Sequence, residues 1–221
     1  MSTIVGSNCY IDPNTQLGED CVIGNNTMIY GQVRIGNHVT IGPNSIIGNA
    51  PTCFGLEESD ERFETPLIIE DNVFIGNLCV IERGVDCPSK IGRGSMIGSL
   101  CYLAHEFDCG TGCFIYPHCF FCGRVKLGNG VLVLSNVTMF DKVSCGDNTI
   151  VFHRAIVSKS CEPRSFIIGE RGEALKEYRK RERYIRRLAK YEERLKILED
   201  RINGRIDKRF AGAVPAGESG C

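Results

Sequence analysis

The chain has 221 residues, a formal net charge of −1, 43% hydrophobic residues and 24% charged residues, a composition typical of globular proteins. No apolar run approaches the roughly 18–20 residues needed to span a bilayer. The first residues lack the basic and apolar segments of a signal peptide. We therefore expect a cytoplasmic protein without a membrane span.

Thirteen cysteines raise the question of a disulfide framework or a metal centre. Only Cys119 and Cys122 are spaced C-x-x-C, and no second pair has the spacing of a zinc site. We expect no metal site. In a reducing cytosol the thiols would remain free and pack as small apolar groups.

From Val5 onward the chain repeats a six-residue pattern, which is its strongest signal. Each repeat opens with an apolar residue, often followed by glycine, then two polar residues and a small or β-branched fifth residue. The sequence Ile-Gly-Asn-Asn-Thr-Met at residues 23–28 is one example. The pattern runs in three blocks that begin at Val5, Ile69 and Ile91, and the last block reaches Val157.

A six-residue period predicts a solenoid of strands. Side chains alternate faces along a strand, so a six-residue unit returns its first residue to the same face. Three units would make one triangular coil of about eighteen residues, with aliphatic first positions inside and small fifth positions near the corners. We expect the glycines to relieve backbone strain at the corners. The sequence thus predicts an all-β parallel β-helix over residues 1–168. Nine cysteines at first or fifth positions would fill its core: Cys9, Cys21, Cys79, Cys101, Cys109, Cys113, Cys119, Cys145 and Cys161.

The repeat is interrupted twice. Residues 50–66 are predicted to leave the coil as an extruded loop with acidic and aromatic residues, either simply solvated or functional. The second break, residues 85–90, contains Pro88 and is expected to form a small bulge.

Beyond residue 168 the composition changes. Residues 170–209 hold 15 Lys/Arg and 9 Asp/Glu, against 11 and 18 in the rest of the chain. Residues 169–210 are predicted to form a basic helical extension, and residues 211–221 a disordered tail. An apolar stripe at heptad-like spacing favours packing of the helix on a neighbour. The stripe comprises Leu188, Tyr191, Leu195, Leu198 and Ile202.

A solid β-helix has no internal cavity, so any site must lie on its outer surface. The four histidines occupy third or fourth repeat positions, which point outward: His38, His105, His118 and His153. His105 stands out because Glu106 follows it directly and Asp108 lies three residues on. A neighbouring carboxylate fixes the tautomer of an imidazole and raises its basicity, which suits a general base.

The coils, the acidic loop and the segment Leu103-Ala104-His105-Glu106 resemble the hexapeptide-repeat acyltransferase superfamily. Within it they most resemble the UDP-N-acetylglucosamine O-acyltransferases of lipid A synthesis and the nucleotide-sugar N-acyltransferases. The resemblance covers about residues 5–160. It implies a left-handed coil and a homotrimer with its sites between subunits.

The same resemblance implies roles for individual residues. His105 would be the general base, with Glu106 (or Asp108) orienting its ring. Cys122-Gly123-Arg124-Val125 resembles the segment whose glycine amide is the oxyanion donor, so Gly123 inherits that role. Histidines of the O-acyltransferases are replaced by Glu82, Tyr102 and Arg124.

Phe140 and Asp141 stand where that family has a His-Gln pair, and its C-terminal segment is not recognisable here. These differences disfavour lipid A synthesis itself and favour another nucleotide-linked sugar. The substrate-binding candidates are Glu82, Tyr102, Asp108, Arg124 and Asp141.

The implied reaction moves an acetyl or other acyl group to an amine or hydroxyl of a nucleotide-linked sugar. The donor would be a thioester of coenzyme A (acetyl-CoA) or of acyl carrier protein, and no bound cofactor is expected. The alternative is a non-catalytic β-helix scaffold that assembles through its helix and does not need His105 or Glu106.

Two other readings are less favoured. A hexapeptide carbonic anhydrase needs three metal-binding histidines, and the spacings of 13 and 35 residues between His105, His118 and His153 do not resemble that family. The basic helix could recognise the phosphates of an acyl carrier, although a solvated helix is the simpler explanation. No nucleic-acid partner is expected, because the basic residues are not interleaved with aromatic ones.

Overall fold

A computed structural model of the chain describes residues 2–51, 65–169 and 175–210. Most of the predicted extruded loop and the whole of the predicted tail 211–221 lie outside the described residues. The chain divides into two compact units, Met1–Glu170 and Arg171–Cys221. The first is a β-solenoid, and the second contains helix α1 (Leu175–Phe210).

Three parallel sheets make up the solenoid, and each coil contributes one strand to each sheet. Sheet A contains β1 (Ile4–Val5), β4 (Val22–Ile23), β7 (Thr40–Ile41), β10 (Phe74–Ile75), β13 (Met96–Ile97), β16 (Phe114–Ile115), β19 (Leu132–Val133), β22 (Ile150–Val151) and β24 (Phe166–Ile167). Sheet B contains β2 (Tyr10–Ile11), β5 (Met28–Ile29), β8 (Ile46–Asn49), β11 (Val80–Glu82), β14 (Tyr102–Leu103), β17 (Phe120–Phe121), β20 (Thr138–Met139) and β23 (Ile156–Val157). Sheet C contains β3 (Gln16–Leu17), β6 (Val33–Ile35), β9 (Leu67–Ile69), β12 (Ser89–Ile91), β15 (Asp108–Cys109), β18 (Lys126–Leu127) and β21 (Ser144–Cys145).

The pairing register confirms the coil predicted from the repeat. Met96 pairs with Phe114, and Tyr102 pairs with Phe120, so neighbouring strands are separated by three six-residue repeats. The first position of each repeat faces inward, and these residues form one continuous buried column that includes Ile41, Ile75 and Ile97. The fold is therefore a parallel β-solenoid of about eight coils, followed by a helix.

Most second-position glycines serve close packing between coils, and for these the prediction that they relieve backbone strain is wrong; at Gly48, with a φ of 73°, it is confirmed. The left-handed backbone conformation otherwise falls mainly at the fourth position, where Asn26 has a φ of 57° and Asn44 a φ of 58°. A Cβ atom on Gly24 would lie 2.4 Å from Pro43 N, and one on Gly92 would lie 2.3 Å from Gly110 O. Glycine recurs there because the next coil leaves no room for a side chain.

The fifth-position residues do more than fill space. The Cys21 thiol donates to Gly36 O at 3.2 Å, the Thr27 hydroxyl to Gly42 O at 3.1 Å, and the Cys113 thiol to Gly128 O at 3.0 Å. Each acceptor is a corner carbonyl one coil further on, which otherwise would be buried without a donor. This ladder explains why cysteine, serine and threonine recur at the position. Every cysteine among the described residues is a free thiol.

The solenoid extends beyond the point where the repeat pattern is lost. The backbone of Cys161 forms an isolated parallel β-bridge with that of Cys145, and Phe166 pairs with Ile150. After Val157 the chain therefore passes once more along sheets C and A.

The three sheets present different outer surfaces. Sheet A faces outward with Ile4, Val22, Thr40, Phe74, Met96, Phe114, Leu132, Ile150 and Phe166. Sheet B faces outward with Tyr10, Met28, Ile46, Val80, Tyr102, Phe120, Thr138 and Ile156. Sheet C instead presents Gln16, Arg34, Ile68, Lys90, Asp108, Lys126 and Ser144. Two outer faces are thus apolar and one is polar.

Candidate active site

His105 lies at the corner that joins β14 of sheet B to β15 of sheet C, and its side chain is 19% exposed. The His105 backbone N–H donates to Glu82 Oε2 at 2.9 Å, and the Tyr102 hydroxyl donates to the other carboxylate oxygen of Glu82. Glu82 itself is buried. A buried carboxylate therefore holds the backbone that carries the histidine.

The Glu106 carboxylate faces the inner nitrogen of the His105 ring. His105 Nδ1 lies 3.2 Å from Glu106 Oε2, and the Glu106 side chain is only 2% exposed. An ionised carboxylate accepts a hydrogen bond, so this contact assigns the proton to Nδ1 and leaves the lone pair on Nε2. The ring is set to accept a proton at Nε2.

Several groups of the protein hold Glu106 in place. Glu106 Oε1 accepts the backbone N–H groups of Asp86 at 3.0 Å and Cys87 at 3.1 Å. Glu106 Oε2 accepts a hydrogen bond from Arg124 Nε, and the same guanidinium lies 2.8 Å from Asp86 Oδ2. Burial raises the pKa of the Glu106 carboxyl, but Arg124, the Asp86 N–H and His105 outweigh it and lower that pKa to about 2. Glu106 is therefore ionised at neutral pH.

Gly123 lies directly against the His105 ring. A Cβ atom at this position would be 2.4 Å from His105 Nε2 and 2.5 Å from Cε1, so only glycine leaves the ring its space. The Gly123 carbonyl accepts from the Lys142 N–H, whereas its own N–H has no acceptor among the residues the structure describes. In other repeats the matching N–H is capped, as Asn129 is by Asp147 Oδ1 at 2.7 Å. A backbone donor is thus available beside the base.

These groups open onto one pocket. A cavity of about 300 Å³ is lined by His105, Gly123, Arg124, Asp141 and Lys142. Its wall combines the imidazole with a guanidinium, an ammonium and a carboxylate. A base, a backbone N–H and two cations next to a solvent-open cavity can deprotonate a nucleophile and bind a polar, anionic substrate.

Comparisons with known proteins agree with the repeat and the fold. The model described as bacterial transferase hexapeptide (six repeats) matches residues 2–36 and 14–49, and that of the hexapeptide repeat of succinyl-transferase matches residues 66–87. The UDP-3-O-acylglucosamine N-acyltransferase of Methylococcus capsulatus is 26% identical over 164 residues, which cover 72% of this chain and 46% of that protein. The chain thus carries the hexapeptide repeat and resembles the hexapeptide-repeat acyltransferase superfamily.

Further proteins are similar to this chain over part of its length. A probable macrolide acetyltransferase of Lysinibacillus sphaericus is 32% identical over 111 residues, 49% of this chain and 61% of that protein. The chain spans less than two thirds of the length of the curated relatives it matches first. Among solved structures, the UDP-N-acetylglucosamine acyltransferase of Campylobacter jejuni has a TM-score of 0.69 at 20% identity, covering 77% of this chain and 68% of that one. This likeness shows the shared solenoid fold.

The structure brings most of the predicted site residues together. Glu106, Gly123, Arg124 and Asp141 surround His105 or line its pocket, and Glu82 and Tyr102 support its backbone. Asp108 is not part of this group. It faces outward from sheet C, beside Lys126 in the pairing register, and lines a different cavity of about 540 Å³. Glu106, and not Asp108, is therefore the carboxylate at the His105 ring.

Asp86, Cys87 and Lys142 were not identified from the sequence. The break at residues 85–90, expected to be a plain bulge, supplies the two N–H donors and the carboxylate that hold Glu106 and Arg124. The eighteen-residue coil length places Lys142 one coil beyond Arg124, which is itself one coil beyond Glu106. The eighteen-residue spacing could therefore have identified Lys142 from the sequence.

Within the described residues, no three His, Cys, Asp or Glu side chains form a cluster that could hold a metal ion. In the same part of the chain, no helix is long and apolar enough to cross a membrane.

Proposed function

We propose that this protein transfers an acyl group from a thioester to an amine or hydroxyl of a nucleotide-linked sugar. The donor is acetyl-CoA or an acylated carrier protein. The observation that carries the proposal is the His105 ring, oriented by Glu106 at Nδ1, with Nε2 against Gly123 at an open pocket; the Gly123 N–H has no acceptor among the described residues. The scaffold alternative leaves this arrangement without a role.

The steps follow from the geometry. The acceptor amine or hydroxyl loses a proton to His105 Nε2 as its nitrogen or oxygen attacks the thioester carbonyl carbon. The oxyanion of the tetrahedral intermediate accepts a hydrogen bond from the Gly123 N–H. Collapse of this intermediate breaks the C–S bond, and the leaving thiolate takes up the proton from His105 Nε2. Glu106 stabilises the imidazolium formed in between. Charge develops where fixed donors already point, which is the arrangement that lowers a barrier most effectively.

The remaining residues divide into two groups. Arg124 donates a hydrogen bond to Glu106, and Glu82 accepts one from the His105 backbone N–H. We therefore assign positioning roles to both residues. Lys142 and Asp141 line the pocket and are exposed, and we assign them to substrate. Lys142 suits a phosphate of the nucleotide or of the carrier, and Asp141 suits a sugar hydroxyl or amine.

We also propose that the protein is a homotrimer of left-handed coils. The support for the trimer is the pair of apolar outer faces on sheets A and B, since monomeric proteins rarely expose large contiguous apolar surfaces. His105 lies at the corner where an apolar face meets the polar one, so a neighbouring subunit on sheet B would form the second wall of its pocket. The left hand of the coil rests on the resemblance to the superfamily.

The proposed activity is tested by thiol release. The full chain is assayed with acetyl-CoA and then with acyl carrier protein loaded with short and long acyl chains, each against a panel of nucleotide-linked amino and hydroxy sugars. Release that requires both a thioester and one sugar class supports the proposal and identifies both substrates. Thiol release that is independent of every sugar, or none with any donor, contradicts it.

A further inference from the structure

Helix α1 carries a heptad pattern of apolar residues between Tyr184 and Leu198. With Leu188 at position a, the apolar side chains recur at intervals of three and four residues. Positions a and d are occupied by Tyr184, Leu188, Tyr191, Leu195 and Leu198, which are 49–61% exposed. A single amphipathic helix gains most of its stability from packing its apolar face, so these side chains call for a partner.

The charges that flank this stripe are sorted by sign. The g positions next to it are Arg187 and Arg194, and the e positions are Glu192 and Glu199. Among the residues the structure describes, none of these four side chains makes an ion pair within its own chain. Residues at e and g line the edges of a coiled-coil seam and select the partner and its orientation.

The sorting fits a parallel partner of the same sequence. In a parallel coiled coil, each g residue faces the e residue five positions later on the neighbouring helix. Arg187 would then face Glu192 and Arg194 would face Glu199, so both contacts join opposite charges. An antiparallel pair would instead bring g against g and e against e, which places arginine beside arginine and glutamate beside glutamate.

We propose that helix α1 assembles in register and in parallel with the same helix of other copies of this chain. The seam is formed by Leu188, Tyr191, Leu195 and Leu198, and the orientation is set by the arginines at g and the glutamates at e. This assembly is separate from contacts between the solenoids, because it uses the second compact unit alone. It goes beyond the proposed enzymatic function and does not depend on it.

The test uses two differently tagged full-length chains made in the same cell. One carries Arg194→Lys and Glu199→Gln, and the other keeps Arg194 and Glu199. A zero-length carbodiimide joins a lysine amine to a carboxylate with loss of water, so a link between the introduced lysine and Glu199 can form only between the two chains. The proposal predicts that mass spectrometry detects this cross-linked peptide.

Two controls complete the experiment. A second chain with Glu199→Gln should abolish the link from the introduced lysine, while the reagent should still join Lys196 to Asp200 within one helix in every sample. Circular dichroism confirms that each variant retains its helix. If the Lys196–Asp200 link forms and the link to Glu199 does not, or if the full chain sediments as a monomer, the proposal is wrong.

Charge exchange tests independently whether the residues at e and g pair between chains. We expect a chain with Arg187→Glu and Arg194→Glu to lose its helical circular-dichroism signal at a lower temperature than the unmodified chain. The same is expected of a chain with Glu192→Arg and Glu199→Arg. When the two variants are mixed in one sample, the helical signal should again persist to the higher temperature. Failure to recover would overturn the assignment of these four residues to the edges of the seam.

Discussion

Glu106 occupies a costly position. Its carboxylate is almost fully buried, and its backbone has a φ of 57°, a left-handed conformation that glutamate rarely adopts. The Arg124 guanidinium and the Asp86 and Cys87 N–H groups offset that cost by satisfying the charge. The left-handed φ recurs at the fourth position of other repeats, as at His118 and Asn136, so the buried charge and not the backbone distinguishes Glu106. The contacts that hold Glu106 therefore also determine how the His105 ring is oriented.

Replacing Arg124 by Met should destabilise the protein in a pH-dependent manner. The folded-state pKa of Glu106, about 2, is below its ordinary 4.5, so its contribution to stability is complete above pH 4.5 and is lost as the pH falls towards 2. We expect the variant to lose on the order of 1–3 kcal/mol at pH 7 and the difference to shrink between pH 4.5 and 2. Thermal midpoints measured across this range provide the check.

Arg154→Met is the matched control for that experiment. Arg154 has the same fourth-position backbone conformation (φ 61°), but its exposed side chain makes no ion pair among the described residues. Its replacement should leave the pH dependence unchanged. An equal pH-dependent loss of stability in both variants would contradict the proposed contribution of the Arg124–Glu106 contact.

Gly123→Ala should damage activity far more than folding. The added methyl group would lie 2.4 Å from His105 Nε2, so the ring must turn away from the pocket. A displacement of about 1 Å at a reacting group can cost about 10²-fold, and we expect a loss of that order in turnover. Gly112→Ala serves as the control, since its Cβ meets nothing within 4 Å although its φ is 63°. Turnover in Gly123→Ala that equals the control would contradict the proposed contact.

At the level of the strand and corner, stability depends on hydrogen bonds between coils as well as on the apolar column. The Ser95 hydroxyl donates to Gly110 O at 3.1 Å and accepts from the Cys113 N–H at 3.0 Å, and its side chain is buried. Ser95→Ala would leave a buried carbonyl and a buried N–H without partners. We expect a loss of about 1–3 kcal/mol, measured as a lower thermal midpoint. Ser144→Ala, on the outer polar face, should have little effect.

The same scale shows how far sequence reasoning reaches in this fold. The apolar first residues predicted the buried column, because a six-residue period admits few other structures. The role of most second-position glycines was misassigned, since crowding by the next coil is a contact between residues far apart in sequence. For the same reason the residue 85–90 break was taken for a plain bulge, although its N–H groups hold Glu106. His105, Glu106 and Gly123 could be predicted as site residues because they fall in segments that resemble family motifs.

At the level of the whole molecule, the two apolar faces of the solenoid define the expected assembly. Phe114→Lys places a charge in the middle of sheet A, where the outward residues of the neighbouring strands are Met96 and Leu132. If sheet A packs against another subunit, this variant should dissociate or weaken the trimer in sedimentation experiments. Lys126→Glu, on the polar face of sheet C, should leave the sedimentation coefficient unchanged. Unaltered assembly in Phe114→Lys would place the interface elsewhere.

The central claim is that His105 is the base of an acyl transfer, and turnover of His105→Ala tests it most directly. With the donor and sugar identified by thiol release, the unmodified chain is compared with His105→Ala and with His118→Ala, an exposed histidine outside the pocket. We expect turnover to fall by about 10²–10⁴-fold in His105→Ala alone, the range that a general base supplies. A His105→Ala variant that keeps more than half of the original turnover would contradict it.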